Sequence, residues 1–525
     1  MKKIFLGLTI ILFLLQSCSK DDVIPTEGDL ENTQAQSEKP LSKTEIDKII
    51  MKSLKMKRDF HWKDVSDHVL WSALQYGENV LTIGYGNGID DFENKSTVYQ
   101  KKVKKDIIDQ VIAIENKNNL GVKQDSKLLL NEERDLTFLD MRVRAMETII
   151  TLRKNPKVRY IEPIGYNFSF QTKQAAKSPG CGREIQNLNP NDYKEFFQTI
   201  NGINKSIGKI PWNFYSYHKI DKAWTEGNTA GKDVTVGIID TGTSTQQYLL
   251  NDGFENDLSF RRFITKYGIF ADSWWPSSTD YDGYNDRCGH GTSMASVIGA
   301  PFNDMGNRAP IGVAPRCNLV TYRAAGDVFL DDSFQGRRGV AKAFNRLADR
   351  SDVKIISLSM GGVISWGNIE DAVKRATRKG KLIFCAAGTS TGLLADAGAQ
   401  NIVIFPARMR QTVAVTGLEE GAVYEECDKC HYGSEVMFSV LMERNSDRTV
   451  PVLSYYNAKT DYVGGSSVAT AMMAGVAALV WSKDLSQNRE QVLRAMKRGS
   501  HLYPNKDSRY GYGMINALRA VNFVE

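Results

Sequence analysis

Three short segments carry side chains suited to covalent chemistry. The first is Asp240-Thr241-Gly242, a carboxylate placed directly after the apolar run Val234 to Ile239. Alone, Asp-Thr-Gly is ambiguous, because the same tripeptide serves aspartic proteases and ordinary turns. The second is Gly289-His290-Gly291-Thr292-Ser293-Met294-Ala295, where flanking glycines leave an imidazole uncovered at the start of a small-residue helix. Such a histidine suits proton transfer near neutral pH. The third is Gly464-Gly465-Ser466-Ser467-Val468-Ala469, opening an apolar stretch that runs to Trp481. A serine at a helix N-terminus sits beside free backbone N–H groups that stabilise a developing oxyanion, although capping is the commoner use of such a serine.

Two other clusters invite chemistry of a different kind. Cys427-Asp428-Lys429-Cys430-His431 matches the bare pattern for haem attachment, and cysteine with histidine also suits zinc, but a local disulfide or two separately paired cysteines is the default. Asp280, Asp282 and Asp286 offer hard oxygen ligands for calcium, against the simpler reading of an acidic solvated loop. No cofactor is required by any segment, and structural calcium has no further support.

The elements that must position these residues follow from pattern. Val234 to Ile239 is rich in β-branched residues with little polar alternation, which predicts a strand buried on both faces of a parallel sheet. Asp240 then falls at the carboxyl end of that strand, where open α/β sheets place their sites. Nearer the N-terminus, Ser42 and Glu45 form a capping box ahead of Ile46, Ile49, Ile50 and Leu54, predicting a helix. Leu136, Phe138 and Val143 lie in a strand-like stretch. Met146, Ile149 and Ile150 mark a short helix that Asn155-Pro156 stops, and Val158 to Ile161 forms a second strand. Between Gly165 and about Ile210 polar residues cluster, predicting an exposed connection.

Composition sets outer limits. With 42% hydrophobic and 24% charged residues the 525-residue chain is an ordinary globular protein with room for more than one domain. A net charge of +6 with no basic run interleaved with aromatics makes no case for nucleic acid. Lys2 and Lys3 precede the apolar run Ile4 to Leu15, too short to span a bilayer but fitting a secretory signal.

The three chemical segments, in the order Asp, His, Ser, resemble those of the subtilase family of serine proteases. The resemblance extends through Gly312-Val313-Ala314-Pro315, Ile356 to Gly362, Cys385-Ala386-Ala387-Gly388 and Tyr510 to Ala517, and covers roughly residues 210 to 525. It implies an α/β fold, a doubly wound and mostly parallel sheet with helices on both faces. It also implies Ser467 as nucleophile, His290 as general base and acid, and Asp240 as the group that orients the imidazole. Ser359, Met360 and Gly361 would pair with extended substrate backbone, and Ala386, Ala387 and Gly388 would line the pocket for the residue before the scissile bond. Thr389 departs from the family, which has an asparagine there as oxyanion donor. Ser466 and Ala471 are lesser departures, where threonine and proline are usual.

The strand, helix and strand ending in Asn155-Pro156 and Glu162-Pro163 resemble the end of a subtilase propeptide, a small α+β ferredoxin-like domain that inhibits its own enzyme. Leu15-Gln16-Ser17-Cys18 resembles a bacterial lipobox, and Ser19-Lys20-Asp21-Asp22 resembles a signal for the outer face of the outer membrane. The expected organisation is a signal peptide (1–17), a polar tether (18–40) starting at lipidated Cys18, a propeptide domain (41–165), a connecting segment with the maturation site (166–210) and a catalytic domain (211–525). The chain is expected to be a monomeric endopeptidase of the cell envelope acting on protein substrates. The alternatives are a weakly active or inactive peptide-binding protein of the same fold, because of Thr389, and an anchored scaffold or redox protein built around Cys427 and Cys430.

Overall fold

The computed structural model describes residues 39–93, 97–118, 128–168, 181–271, 273, 278–304, 309–331, 333–390, 399–421, 425–457 and 459–523. The signal peptide, Cys18 and nearly all of the tether lie outside the described residues, as does the stretch 169–180 within the expected connecting segment.

The N-terminal part opens with helix α1 (Lys43–Lys57), whose Ser42 and Glu45 make the reciprocal capping box that their spacing predicts. Helix α2 (Asp67–Gln75), strand β1 (Val80–Tyr85), helix α3 (Val98–Lys117), strands β2 (Leu129–Glu132) and β3 (Phe138–Arg142), helix α4 (Met146–Lys154) and strand β4 (Val158–Glu162) complete it. The four strands form one antiparallel sheet in the order β2-β3-β1-β4. The expected strand, helix and strand are β3, α4 and β4.

After residue 181 the polar segment differs from the exposed connection predicted for it. It contains a hairpin, β5 (Tyr193–Ile200) and β6 (Ile203–Pro211), anchored by buried Ile207 and Ile210. Most of its other positions are exposed or half-buried, so polar residues cover the surface and hide the strand pattern. Short helices α5 (Trp212–Ser216) and α6 (Ile220–Thr225) lead into the large sheet.

That sheet has eight strands. Strands β7 (Thr235–Asp240), β8 (Ile264–Gly268), β9 (Asn318–Arg323), β10 (Val353–Leu358), β11 (Leu382–Ala386) and β12 (Val413–Glu419) run parallel in the order β8-β9-β7-β10-β11-β12. Short β13 (Glu425–Glu426) is antiparallel to the tip of β12, and β14 (Val436–Glu443) runs parallel to it. The chain fills one side of β7 with β8 and β9, then crosses to β10 on the other, so the topological switch lies at β7 and β10. Both faces are covered. Val236 and Ile238 face the core of helix α7 (His290–Gly299) and the long helix Gly465–Trp481. Ile239 faces the core of helices α8 (Phe334–Asp349) and α9 (Gly367–Arg378). Gly237 is required on the α8 face, where a methyl group would meet Leu347 Cδ2 at 2.7 Å.

The N-terminal sheet packs on the α8 and α9 face and shares its hydrophobic core. Glu162 accepts from the Gly367 backbone N–H at 2.9 Å, placing a carboxylate at the positive end of α9. Arg159 donates to both carboxylate oxygens of Asp371 at 3.0 and 2.7 Å, and both side chains are almost fully buried. Arg159→Ala would leave the buried Asp371 carboxylate without its cation and with only the Tyr160 hydroxyl at 3.3 Å, so the chain is expected to lose about 3–5 kcal/mol of stability in denaturant titration. Replacing both partners with leucine should recover most of that loss, because the main cost is the orphaned charge.

Candidate active site

Asp240 is the last residue of β7, and register pairs Ile239 with Leu358 of β10. One position further on, Asp240 and Ser359 therefore lie on neighbouring strands, about 4.8 Å apart in the sheet direction. Both side chains sit at the topological switch point.

His290 opens α7 and bonds through Nδ1 to Asp240 Oδ1 at 2.8 Å, with both residues 1% exposed. A carboxylate only accepts, so Nδ1 carries the hydrogen and Nε2 of the neutral ring is left with its lone pair. Nε2 is buried and has no hydrogen-bond partner among the described residues. Burial pushes the His290 imidazole pKa down, but the charge and hydrogen bond of Asp240, joined by the charges of Asp286 and Asp327, outweigh it, and the net shift is upward. Asp286 fixes the approach to this helix. Its buried carboxylate accepts from the N–H groups of Cys288, Gly289 and Thr292 and from the hydroxyls of Thr241 and Thr292, at 2.7 to 3.0 Å.

The three aspartates considered for calcium do not converge on a cation. Asp286 is the internal cap just described, and Asp282 pairs with the Arg323 guanidinium at 2.6 Å, while Asp280 is exposed. No group of three or more such ligands occurs among the described residues.

Ser467 lies in the first turn of the helix Gly465–Trp481, which packs against α7. Its hydroxyl donates to Ser359 O at 3.2 Å, and the Ser359 hydroxyl donates back to Ser467 O at 2.9 Å. The nucleophilic candidate thus rests against the end of β10, the strand paired with β7, with its hydroxyl turned to a carbonyl and making no hydrogen bond to His290 Nε2. Thr389 lies next to it. Its Oγ1 accepts from the Ser466 N–H at 3.1 Å and is 3.2 Å from Ser466 Oγ, while Ser466 Oγ accepts from the Gly388 N–H at 3.1 Å.

The residues expected to bind substrate divide. Ser359, Met360, Gly361, Ala386 and Gly388 line one pocket together with Ser467 and Thr389. Ala387 does not: it is fully buried, bonds through its backbone to Val415 O and the Ile404 N–H, and packs into the core. Gly361 is not a free edge either. Its N–H donates to Val328 O at 3.1 Å and its carbonyl accepts from the Leu330 N–H at 3.0 Å. An extended peptide pairing with Gly361 must displace Val328 to Leu330. That segment is in turn tied to the N-terminal part, since Asp331 O accepts from the Phe168 N–H at 3.0 Å and Arg337 bridges Asp331 O to Tyr166 O.

Sequence reasoning missed Ile404 and His431, which also line the pocket. His431 stood out only for its place after Cys427 and Cys430. Those cysteines are joined to each other, and His431 has both ring nitrogens engaged, with Ile402 O and Ser390 Oγ, at 2.6 Å each. It is therefore no ligand for haem or zinc in this arrangement. A second disulfide joins Cys181 to Cys288, two residues before His290, while Cys317 and Cys385 are free and buried.

Comparison with known proteins identifies the family of the chain. Residues 231–513 match the profile of the subtilase family. A thermostable alkaline protease of Halalkalibacterium halodurans is 28% identical over 313 residues, covering 59% of this chain and 73% of that protein. Subtilisin DY of Bacillus licheniformis is 27% identical over 308 residues, covering 58% of this chain and 95% of that protein. Among solved structures, fervidolysin from Fervidobacterium pennivorans, a keratinolytic enzyme related to subtilisin, is similar in fold with a TM-score of 0.57 at 17% identity. The match covers 85% of this chain and 61% of fervidolysin.

Proposed function

Since the chain belongs to the subtilase family and is a subtilisin-like serine endopeptidase, we propose that Asp240, His290 and Ser467 form its catalytic triad and that it is made as a precursor inhibited by its own N-terminal domain. Ser467 Oγ attacks the scissile carbonyl as His290 Nε2 takes its proton, and Asp240 holds the resulting imidazolium. The proton then passes to the leaving amine, and water resolves the acyl-enzyme by the same path. The Ser467 N–H, at the positive end of its helix, and the Thr389 hydroxyl are the donors to the oxyanion.

The observation that carries this reading is the buried Asp240–His290 hydrogen bond with Nε2 left unpartnered. An unsatisfied buried polar atom costs about 1–3 kcal/mol. That cost is intelligible if Ser467 Oγ, which rests on Ser359 O, leaves that carbonyl and becomes its partner during reaction. The backbone pairing of Gly361 with Val328 and Leu330, tied to Phe168 and Tyr166 of the N-terminal part, supports the inhibited precursor. Maturation within 166–210 belongs to the same proposal, as does an envelope location through lipidated Cys18.

A second reading, a peptide-binding protein with little turnover, has one observation in its favour: Thr389 Oγ1 is already engaged with Ser466. Fluorophosphonate labelling of Ser467 in the full chain and its matured product separates the two. Labelling is expected to rise with pH as His290 loses its proton, with a midpoint above the ordinary histidine value of about 6.5, because Asp240 raises the imidazole. Failure of Ser467 to label at any pH between about 5 and 9 would favour the binder.

A further inference from the structure

The pocket beside Ser467 is small, and one side chain makes it so. Its cavity volume is about 50 Å³, whereas a cavity of about 150 Å³ is what accepts a benzene ring. Ile404 lies across it. A methyl group placed on Gly361 would meet Ile404 Cδ1 at 2.7 Å, and one placed on Gly388 would meet Ile404 Cγ2 at 3.0 Å. The two branches of a single isoleucine thus press on opposite walls. The backbone gives it no slack: the Ile404 N–H donates to Ala387 O at 2.9 Å, and Phe405 exchanges hydrogen bonds of 2.7 and 2.9 Å with Gly362. A β-branched side chain is also stiff about its first torsion, so it does not readily swing aside.

The inner end of the pocket is equally closed to charge. His431 lies against Gly388, where a methyl group would meet its Nδ1 at 2.6 Å. Both of its nitrogens are bonded within the protein, and burial pushes its pKa down to about 4, so it is neutral across the working range of pH. Among the described residues no Asp, Glu, Lys or Arg lines the pocket.

We infer that Ile404 is a specificity-determining residue: it limits the pocket for the residue before the scissile bond to glycine, alanine or serine, and excludes aromatic and charged side chains. The inference rests on the proposed catalytic role of Ser467, whose hydroxyl opens onto this pocket.

The test offers peptides that differ only at that residue to the full chain, carried through its own maturation, as wild type, Ile404→Val and Ile404→Ala. Fluorophosphonate labelling of Ser467 is measured alongside. One methylene more or less in an apolar pocket changes kcat/KM by roughly 10- to 200-fold. Wild type is therefore expected to prefer alanine over phenylalanine by about 100-fold or more. The ratio should fall by about tenfold or more in Ile404→Ala and by less in Ile404→Val, a change of ratio that a merely destabilised fold does not produce. Comparable turnover of the alanine and phenylalanine peptides by labelled wild type overturns the inference alone. So does an unchanged ratio in both variants, or labelling without turnover of the alanine peptide. Absence of labelling overturns the catalytic reading and the inference with it.

Discussion

Ser467→Ala will lower peptide hydrolysis by about 10⁶-fold and leave the chain at full length, while wild type loses its N-terminal domain. The size of the effect follows from what is removed. A backbone N–H and a threonine hydroxyl stabilise charge on a carbonyl as a nucleophile attacks it, so in the variant they act only on the slow attack of water, which leaves a small residual rate. The cost to folding is small by comparison. Ser467 Oγ makes one hydrogen bond, at 3.2 Å to Ser359 O, and losing it costs about 0.5–1.5 kcal/mol. The helix behind it, from Val468 to Trp481, is buried throughout and unaffected. Denaturation of the variant near the wild-type midpoint, together with lost hydrolysis, separates chemistry from stability. Equal processing of the two chains would refute self-cleavage, and hydrolysis within tenfold of wild type would refute the role of the hydroxyl.

The parts of this site that were legible in the sequence are those whose pattern has a local cause. A strand buried on both faces has to be apolar at every position, so the run Val234 to Ile239 announces both β7 and the location of Asp240 at its end. The capping box of Ser42 and Glu45 is equally local, with two residues three positions apart settling where α1 begins. What stayed hidden depends on contacts between distant segments. Cys181 and Cys288 are 107 residues apart, and Cys317 and Cys385 sit unpaired in the core, so counting thiols gives no pairing. Asp286 reads as a surface acid in sequence because its ligands are backbone N–H groups, which leave no mark on residue type. Ile404 is one apolar residue among many. Its effect comes from Gly361, in the loop after β10, and Gly388, at the start of the connection between β11 and β12, which both approach it closely.

Asp240→Asn should cost about 10⁴-fold in kcat while barely moving the backbone. Asparagine matches aspartate in size, and Asp286 keeps its own bonds to Thr241, Gly289 and Thr292, so the approach to α7 remains fixed. What changes is the imidazole. The aspartate can only accept, which forces the hydrogen onto Nδ1 and leaves Nε2 free to take the proton of Ser467. An amide can instead donate to Nδ1, which places the hydrogen on Nε2 and removes the base from the side facing the reaction. The pH profile supplies an independent check. Burial pushes the His290 pKa down, while the charges of Asp240, Asp286 and Asp327 push it up, so removing the Asp240 charge lowers it and the acid limb of kcat/KM moves to lower pH. A variant with near wild-type turnover, or an acid limb displaced upward, would mean that this carboxylate serves the fold and not the chemistry.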